Sequence, residues 1–341
     1  MILDKRKIKI LSAIIEDYIA TAEPIGSRTI AKKYHIGISP ATIRNEMADL
    51  EELGYISQPH TSAGRVPSNK GYRFYVDFLM PKQKLSPEEQ ILIGKLFKRR
   101  IGELEELVEE AAGVISKLTS YTTIILGPQL DTCGIKYIQI SQLEEGKGLL
   151  IIVTDCGTIS HNIIEIPSSL TESDLTKITN LLNDKLIGKT FSDISNEMID
   201  TIKSEIIEYD EVLNILLDVL MQSLDDTCEQ SKIVYSGSSK MLEYPEFKDV
   251  EKVKNFLTLL EQQVLLSKAL KTTSKPDGIT VTIGTENPLE EFQDYSLVTA
   301  SFALGGKNLG ICGIIGPTRM EYSKVVTVLK KFTDYLNRLS E

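Results

Sequence analysis

The sequence predicts a multidomain α+β protein, with an N-terminal winged helix-turn-helix and an α+β domain that contains an inserted, mainly helical subdomain. Three short helical patterns and a glycine-containing hairpin follow one another at the N-terminus. Farther along, two sets of strand-like runs flank a stretch of helical spacing. The 341 residues exceed a usual single domain, so several packed units are expected.

The first two helices are predicted from apolar spacing and from residues that can cap a helix. Asp4 precedes a stripe of apolar residues that ends at Ala22, with basic side chains on the outer faces. The chain restarts after Pro24 at Ser27, which we expect to cap a second helix of about two turns. A glycine-containing turn at residues 35–37 then separates this helix from the next one.

The third helix is predicted to begin at Ser39 and Pro40, an N-cap residue followed by a proline suited to a first turn. Ile43, Met47 and Leu50 form its buried stripe. Two short helices joined by a tight turn are typical of a helix-turn-helix, in which the second helix enters the major groove of DNA. The alternative is an ordinary helical hairpin with a solvated outer face.

The outer face of the third helix suits a DNA major groove. Its largest polar groups are the amide of Asn45 and the guanidinium of Arg44, which can bond adenine and guanine edges. Small side chains beside them permit close approach to thymine methyl groups. The hydroxyls of Ser39 and Thr42 at the helix N-terminus can hold a phosphate. The predicted DNA-contacting residues of this helix are Ser39, Ala41, Thr42, Arg44, Asn45 and Ala48.

A hairpin after the third helix is predicted to form a wing. Residues 54–57 and 65–67 have strand-like character, and residues 59–64 form a tip of small residues. This tip can lie against a sugar-phosphate wall or in a minor groove; the alternative is a flexible hairpin whose charges serve solubility. A helix is expected from Gly71. The predicted DNA-contacting residues here are His60, Thr61, Ser62, Arg65, Lys70 and Arg73.

The rest of the chain divides into a linker and an α+β body. Residues 81–87 are polar and proline-containing, and apolar residues from Phe97 to Leu118 then form a heptad-like seam. That seam can form the coiled-coil interface of a dimer, or it can pack a long helix against a sheet. The predicted domains are 1–80 for the winged helix, 81–120 for the linker and long helix, 121–187 and 273–341 for the two parts of the α+β domain, and 188–272 for the inserted subdomain.

The charge is distributed unevenly along the chain. The formal net charge is -10, but the first 80 residues hold 11 basic and 9 acidic side chains, against 27 and 39 in the remainder. An acidic body repels a polyanion, so a contact with nucleic acid should be confined to the N-terminal segment.

The residue inventory does not favour catalysis, a metal site or a bound cofactor. The four cysteines are far apart in sequence, and we expect them to be small buried hydrophobic residues. The three histidines are scattered, and the glycine pair at residues 305–306 lacks the hydroxyl residue of a phosphate-binding loop, so we expect no enzyme. Neither a membrane span nor a secretory signal is present, which leads us to expect a cytoplasmic protein.

Residues 27–77, SRTIAKKYHIGISPATIRNEMADLEELGYISQPHTSAGRVPSNKGYRFYVD, resemble the N-terminal signature of the HrcA family of heat-inducible transcription repressors. The segments IGTENP, at residues 283–288, and GIIGPTRMEYSKV, at residues 313–325, resemble further HrcA segments. The resemblance covers nearly the whole chain and is loose only in residues 188–272.

This resemblance implies a dimeric repressor that binds an inverted-repeat operator, called CIRCE, upstream of chaperone operons of the groESL and dnaK type. It also implies that the active state depends on the chaperonin GroEL. The implied fold is a winged helix, a GAF-like domain without a chromophore and an inserted dimerisation domain, and the implied DNA contacts fall on residues 39–48 and on the wing with Arg65. One rival interpretation is a repressor whose GAF-like domain binds a small effector, and the other is a catalytic α+β enzyme with a fused DNA-binding arm.

Overall fold

A computed structural model describes residues 3–60, 63–96, 104–127, 133–155, 159–190, 193–205, 233–275, 278–304 and 307–338. Helices and strands are both abundant, so the predicted multidomain α+β class with an N-terminal winged helix is confirmed. None of the helices in these ranges combines the length and apolar character that crossing a membrane requires.

The helix-turn-helix consists of three helices: α1 (Lys5–Thr21), α2 (Ser27–Lys33) and α3 (Pro40–Glu52). The Asp4 carboxylate accepts hydrogen bonds from the first turn of α1, and Ser39 caps α3 as predicted. The expected capping by Ser27 is wrong: α2 starts at Ser27 itself, and Gly26 is its N-cap without a side-chain bond.

The wing is a two-stranded hairpin to which one residue before α2 is joined by an isolated bridge. Strands β1 (Ile56–Ser57) and β2 (Val66–Pro67) pair antiparallel, and Ile25 forms an isolated bridge with Arg65. At Gly64 a Cβ atom would lie 2.5 Å from the Ile25 carbonyl carbon, so only glycine permits this approach. The wing is therefore attached to the helix-turn-helix by backbone hydrogen bonds.

A short helix connects the wing to the body. Helix α4 (Asn69–Phe74) begins two residues before the predicted start, because Ser68 caps it by accepting a hydrogen bond from the Gly71 amide. A π-helical turn, Tyr75–Leu79, continues it. The predicted linker then runs along the last helix, α11 (Tyr322–Arg338), where the Ser323 hydroxyl donates to the Pro81 carbonyl.

The main sheet of the body has five antiparallel strands. Its order is β7-β3-β10-β9-β8, with the two outer strands at opposite edges. Helices α6, α10 and α11 pack on it. The bounds are β3 (Thr122–Leu126), β7 (Ile233–Ser236), β8 (Ile279–Ile283), β9 (Tyr295–Leu304), β10 (Lys307–Pro317), α5 (Pro87–Leu96), α6 (Leu104–Thr119), α9 (Val250–Glu261) and α10 (Gln263–Thr273).

A second sheet of three antiparallel strands is separate from the first. Leu175, Ile178 and Leu182 of its helix α7 are buried, and α7 packs on β4. The bounds are β4 (Ile135–Glu144), β5 (Lys147–Thr154), β6 (Ile159–Glu165), α7 (Glu172–Leu186) and α8 (Asn196–Glu205).

This topology corrects the predicted domain boundaries. The strands of residues 135–165 were expected in the same domain as residues 273–341, but β3 alone joins that sheet. Two helices expected in the insertion belong with the main sheet: α10 packs on it, where Leu270 contacts Gly313, and α9 packs on α10, with the Phe256 ring 5.5 Å from that of Tyr295 in β9. The insertion therefore starts after β3 and ends before β7, because the hydrogen-bonded neighbours of β3 are β10 and β7.

The structure also bears on the heptad-like seam and on the cysteines. Val108, Ala111 and Ile115 of the heptad-like seam are buried, and their helix α6 packs on β3, β7 and α11, which is the sheet-packing alternative. Phe97 and Ile101 of that seam lie outside the described residues, as do Cys156, Cys228 and the 305–306 glycine pair. Cys312 is a buried free thiol as expected, whereas Cys133 is disulfide-bonded, which corrects its interpretation as a simple hydrophobic residue.

Candidate DNA-binding site

The outer face of α3 presents small and polar side chains to solvent. Ala41, Arg44, Asn45 and Ala48 are exposed, and Thr42 is half-buried beside the N-cap. No described side chain forms a hydrogen bond or an ion pair with Arg44 or Asn45. Both groups are therefore available to a base edge in a major groove.

The N-terminus of α3 is organised by two hydroxyl groups. The Thr42 amide donates to Ser39 Oγ at 3.1 Å, and the two hydroxyl oxygens lie 3.0 Å apart. Pro40 has no amide hydrogen to donate. The helix dipole makes this end positive, so the cap is suited to a phosphate oxygen as well as to its present contacts.

Two acidic side chains of α3, Glu46 and Asp49, are paired with the start of α1. Lys7 Nζ lies 2.7 Å from a Glu46 oxygen and 2.9 Å from an Asp49 oxygen, and Arg6 lies 3.3 Å from Glu46. The two carboxylates raise the pKa of the Lys7 ammonium. This pairing offsets negative charge that would repel DNA from the recognition helix.

Sequence reasoning placed these basic residues only on an outer face of the first helix. Their partners are about forty positions away, because Lys7 reaches Glu46 and Asp49. The sequence feature that could have indicated these ion pairs is the run of basic residues at positions 5–9.

At the wing, the predicted contacts divide into three groups. His60 is exposed at the tip, where its carbonyl accepts from the Ala63 amide. Thr61 and Ser62 lie outside the described residues. The Arg65 guanidinium contacts Glu51 at the end of α3, at 2.9 Å through Nε and 2.8 Å through NH2. Arg65 thus ties the wing to the recognition helix, and its contact with phosphate stays a prediction.

The structure places the last two predicted contacts away from the face of α3. Lys70 Nζ donates to the Leu53 carbonyl at 2.8 Å and lies 4.6 Å from the Tyr55 ring centroid, so it caps the end of α3. Arg73 donates to both carboxylate oxygens of Glu286 in the body, which raise the pKa of its guanidinium. Arg73 therefore bridges two domains, and its contact with DNA stays a prediction.

Comparison with known proteins agrees with this geometry. The family model described as "Winged helix-turn-helix transcription repressor, HrcA DNA-binding" matches residues 3–76, and the model of the HrcA protein C terminal domain matches residues 105–326. The chain belongs to the HrcA family. The HrcA DNA-binding match spans α1 to α4, so the exposed face of α3 belongs to the DNA-binding domain of a transcription repressor.

Full-length relatives support the same assignment. The heat-inducible transcription repressor HrcA of Pelotomaculum thermopropionicum is 45% identical over 341 residues, which is 100% of this chain and 98% of that protein. The HrcA of Carboxydothermus hydrogenoformans is 45% identical over 337 residues, covering 99% and 98%. A crystal structure described as that of a hypothetical protein covers 99% of both chains with a TM-score of 0.66 at 24% identity, a likeness of fold alone.

Proposed function

We propose that this HrcA chain represses chaperone operons of the groESL and dnaK type by binding a CIRCE-type inverted repeat as a homodimer. The observation that carries the proposal is the exposed face of α3, where Arg44 and Asn45 have no described partner. A two-fold dimer presents two such helices to two half-sites, so the symmetry of the protein matches that of an inverted repeat. The repressor acts in the cytoplasm, at the nucleoid when it is bound to its operator.

An apolar face of the three-stranded sheet supports the homodimer. Pairing places Tyr137, Val153 and Ile159 side by side, and Leu149 next to Ile163. Tyr137, Ile159 and Ile163 are 47%, 59% and 65% exposed. Helix α7 lies on the opposite face, and no other described helix covers this one. A self-complementary apolar patch of this kind fits a second copy of the same surface.

Ile163→Asp should therefore weaken the dimer by about 2 kcal/mol or more, since a symmetric interface contains the change twice. Sedimentation equilibrium measures the dissociation constant. Val264→Asp is the matched control, because Val264 is a 75% exposed apolar residue on α10. Equal dissociation constants for the two variants would show that the dimer interface lies elsewhere.

Heat and the chaperonin GroEL are proposed to control the population that can bind DNA. Occupation of GroEL by unfolded proteins, or heat itself, lowers this population and releases repression. The support for this step is membership of the HrcA family and the resemblance of its sequence segments, not a feature of the site.

A gel shift tests the proposed function. The chain is titrated onto the inverted repeat, a single half-site and a scrambled duplex of equal length, with and without GroEL. We expect the inverted repeat to bind about a thousandfold or more tightly than the scrambled duplex. GroEL should increase the bound fraction. Equal affinity for the two duplexes would disprove operator recognition, and an unchanged bound fraction would disprove the chaperonin step.

A cavity among the described residues bears on the effector-binding alternative. A space of ≈ 190 Å³ is lined by Glu246, Phe247, Lys252, Asn255, Asp294 and Tyr295, with Pro317 and Thr318. Binding sites for drug-sized ligands usually measure about 300–1,000 Å³. This cavity is smaller than that and mostly polar, so it does not support the binding of a drug-sized effector.

A further inference from the structure

Helix α4 is held against the body by a contact between Arg73 and the turn Gly284–Glu286. Arg73 Nε donates to Glu286 Oε1 at 2.9 Å, and its NH2 group donates to Glu286 Oε2 and to the Val281 carbonyl. The side chains of Arg73 and Glu286 are 30% and 32% exposed. A bidentate, partly buried pair of this kind is stronger and more directional than an exposed ion pair.

The turn is arranged to receive α4. The Ile283 amide donates to Glu286 Oε2 at 2.9 Å, which orients the carboxylate. Asn69 Nδ2 donates to Thr285 Oγ1 at 3.2 Å. Gly284 has φ of +54°, and a Cβ atom there would lie 2.3 Å from Asn69 Nδ2, so glycine permits the close approach. We call the bonds of Arg73 and Asn69 to residues 281–286 the α4 contact.

The winged helix has a second, separate attachment. Arg319 NH1 donates to the Ile19 carbonyl of α1 at 3.0 Å. The rings of Tyr72 on α4 and Tyr322 on α11 lie 6.0 Å apart and belong to the attachment on α4. One attachment alone allows a domain to turn about it. Two attachments at different points, on α1 and on α4, restrict that rotation, so the body holds the recognition helix in one direction.

We propose that Arg73 and Glu286 are positioning residues: the α4 contact fixes the orientation of the winged helix and thereby the half-site spacing that the dimer accepts. The inference rests on the proposed function, because spacing has meaning only for a dimer on an inverted repeat. Both residues act here through the fold and not through a contact with DNA. Loss of the contact leaves the α3 face intact but lets each winged helix turn on the body, so that half-sites at other spacings and helical phases become acceptable.

A charge exchange tests this inference. Arg73→Glu, Glu286→Arg and the double variant are compared with the unaltered chain on the operator, on a single half-site and on an operator lengthened by about half a helical turn, or 5 bp. Asp77→Asn is the matched control: it removes the charge of the other carboxylate beside Arg73, which lies in the π-helical turn 3.1 Å from NH1, and leaves the α4 contact in place. Asn69→Ala is a milder variant of the contact should a charge variant fail to fold.

The single charge variants should reduce the preference for the native spacing by about tenfold, at unchanged half-site affinity. The double variant should recover part of the preference, because the exchange keeps the ion pair but loses the bonds to the Val281 carbonyl and the Ile283 amide. Asp77→Asn should keep the preference. An unchanged preference in the folded single variants and in Asn69→Ala, or a double variant without recovery, overturns the proposal. If the single variants bind operator DNA more tightly at all spacings, the proposal is also overturned, since the α4 contact would then inhibit DNA binding.

Hydrogen exchange separates this inference from the proposed function. Amide exchange of α4 and of residues 281–287 should rise in the single variants and fall again in the double variant. If exchange rises while the spacing preference of an operator-binding chain stays the same, the contact is structural only and the inference fails. If the unaltered chain does not prefer the inverted repeat to scrambled DNA, it is the proposed function that fails.

Discussion

Two arginines of the same winged helix, Arg44 and Arg73, have opposite surroundings. Arg44 is exposed on α3 and has no described partner, whereas Arg73 on α4 donates to Glu286, Asp77 and the Val281 carbonyl. A guanidinium in water keeps all its donors for a ligand, while one with fixed partners is committed to the fold. Basic charge near a recognition helix therefore does not by itself identify a DNA contact.

The largest effect is expected where an arginine is fully committed to the fold. Arg319 is 6% exposed, donates to Glu246 and lies over the Tyr244 ring. Glu246→Ala removes the carboxylate and leaves a buried guanidinium without it. We expect the free energy of unfolding to fall by about 2–3 kcal/mol, because a buried charged donor loses its partner, although Glu246 itself is 32% exposed.

Urea unfolding measures this change, and Glu243→Ala is its control because Glu243 is an exposed carboxylate of the same segment. The control should unfold as the unaltered chain does. A loss below about 0.5 kcal/mol for Glu246→Ala, the range of ordinary surface changes, would show that Arg319 does not depend on this partner.

On the exposed face of α3, substitutions are expected to reduce DNA affinity and to leave stability unchanged. Arg44→Ala or Asn45→Ala should cost about 1–3 kcal/mol on operator DNA and much less on random DNA, because each loses contacts to a base edge. Stability should not change, since neither side chain has a described partner. Fluorescence anisotropy on both duplexes measures the difference, with Lys330→Ala on α11 as an exposed basic control. Equal losses on both duplexes would contradict base reading.

The contrast between the two arginines also shows what the sequence can predict. The caps Asp4 and Ser39 and the buried stripe of α3 were predictable, because they depend on residues within one or two turns. Arg73 was assigned to DNA because its partner, Glu286, is 213 positions away. Arg65 was placed in the wing correctly, but its pair with Glu51 depends on how the wing folds onto α3.

The domain boundaries failed for the same physical reason. Strand β3 pairs with β10 and β7, neither of which is near it in sequence, whereas the hairpins β4 to β6 pair with their neighbours. Apolar alternation identifies a strand but not its partner. Strands that follow β3 directly were therefore grouped with it, although they form their own sheet.

The smallest effect is expected at Arg65, which combines the two kinds of surroundings. Its side chain is 21% exposed and pairs with Glu51, yet it lies at the base of the wing beside the recognition helix. If it also meets a phosphate, Arg65→Ala should weaken binding to every sequence and flatten the salt dependence by about one unit of slope. Glu51→Gln separates the two roles, because it weakens the attachment of the wing to α3 but keeps the positive charge of Arg65. A salt slope unchanged by Arg65→Ala, with the same loss of affinity in Glu51→Gln, would show that Arg65 only anchors the wing.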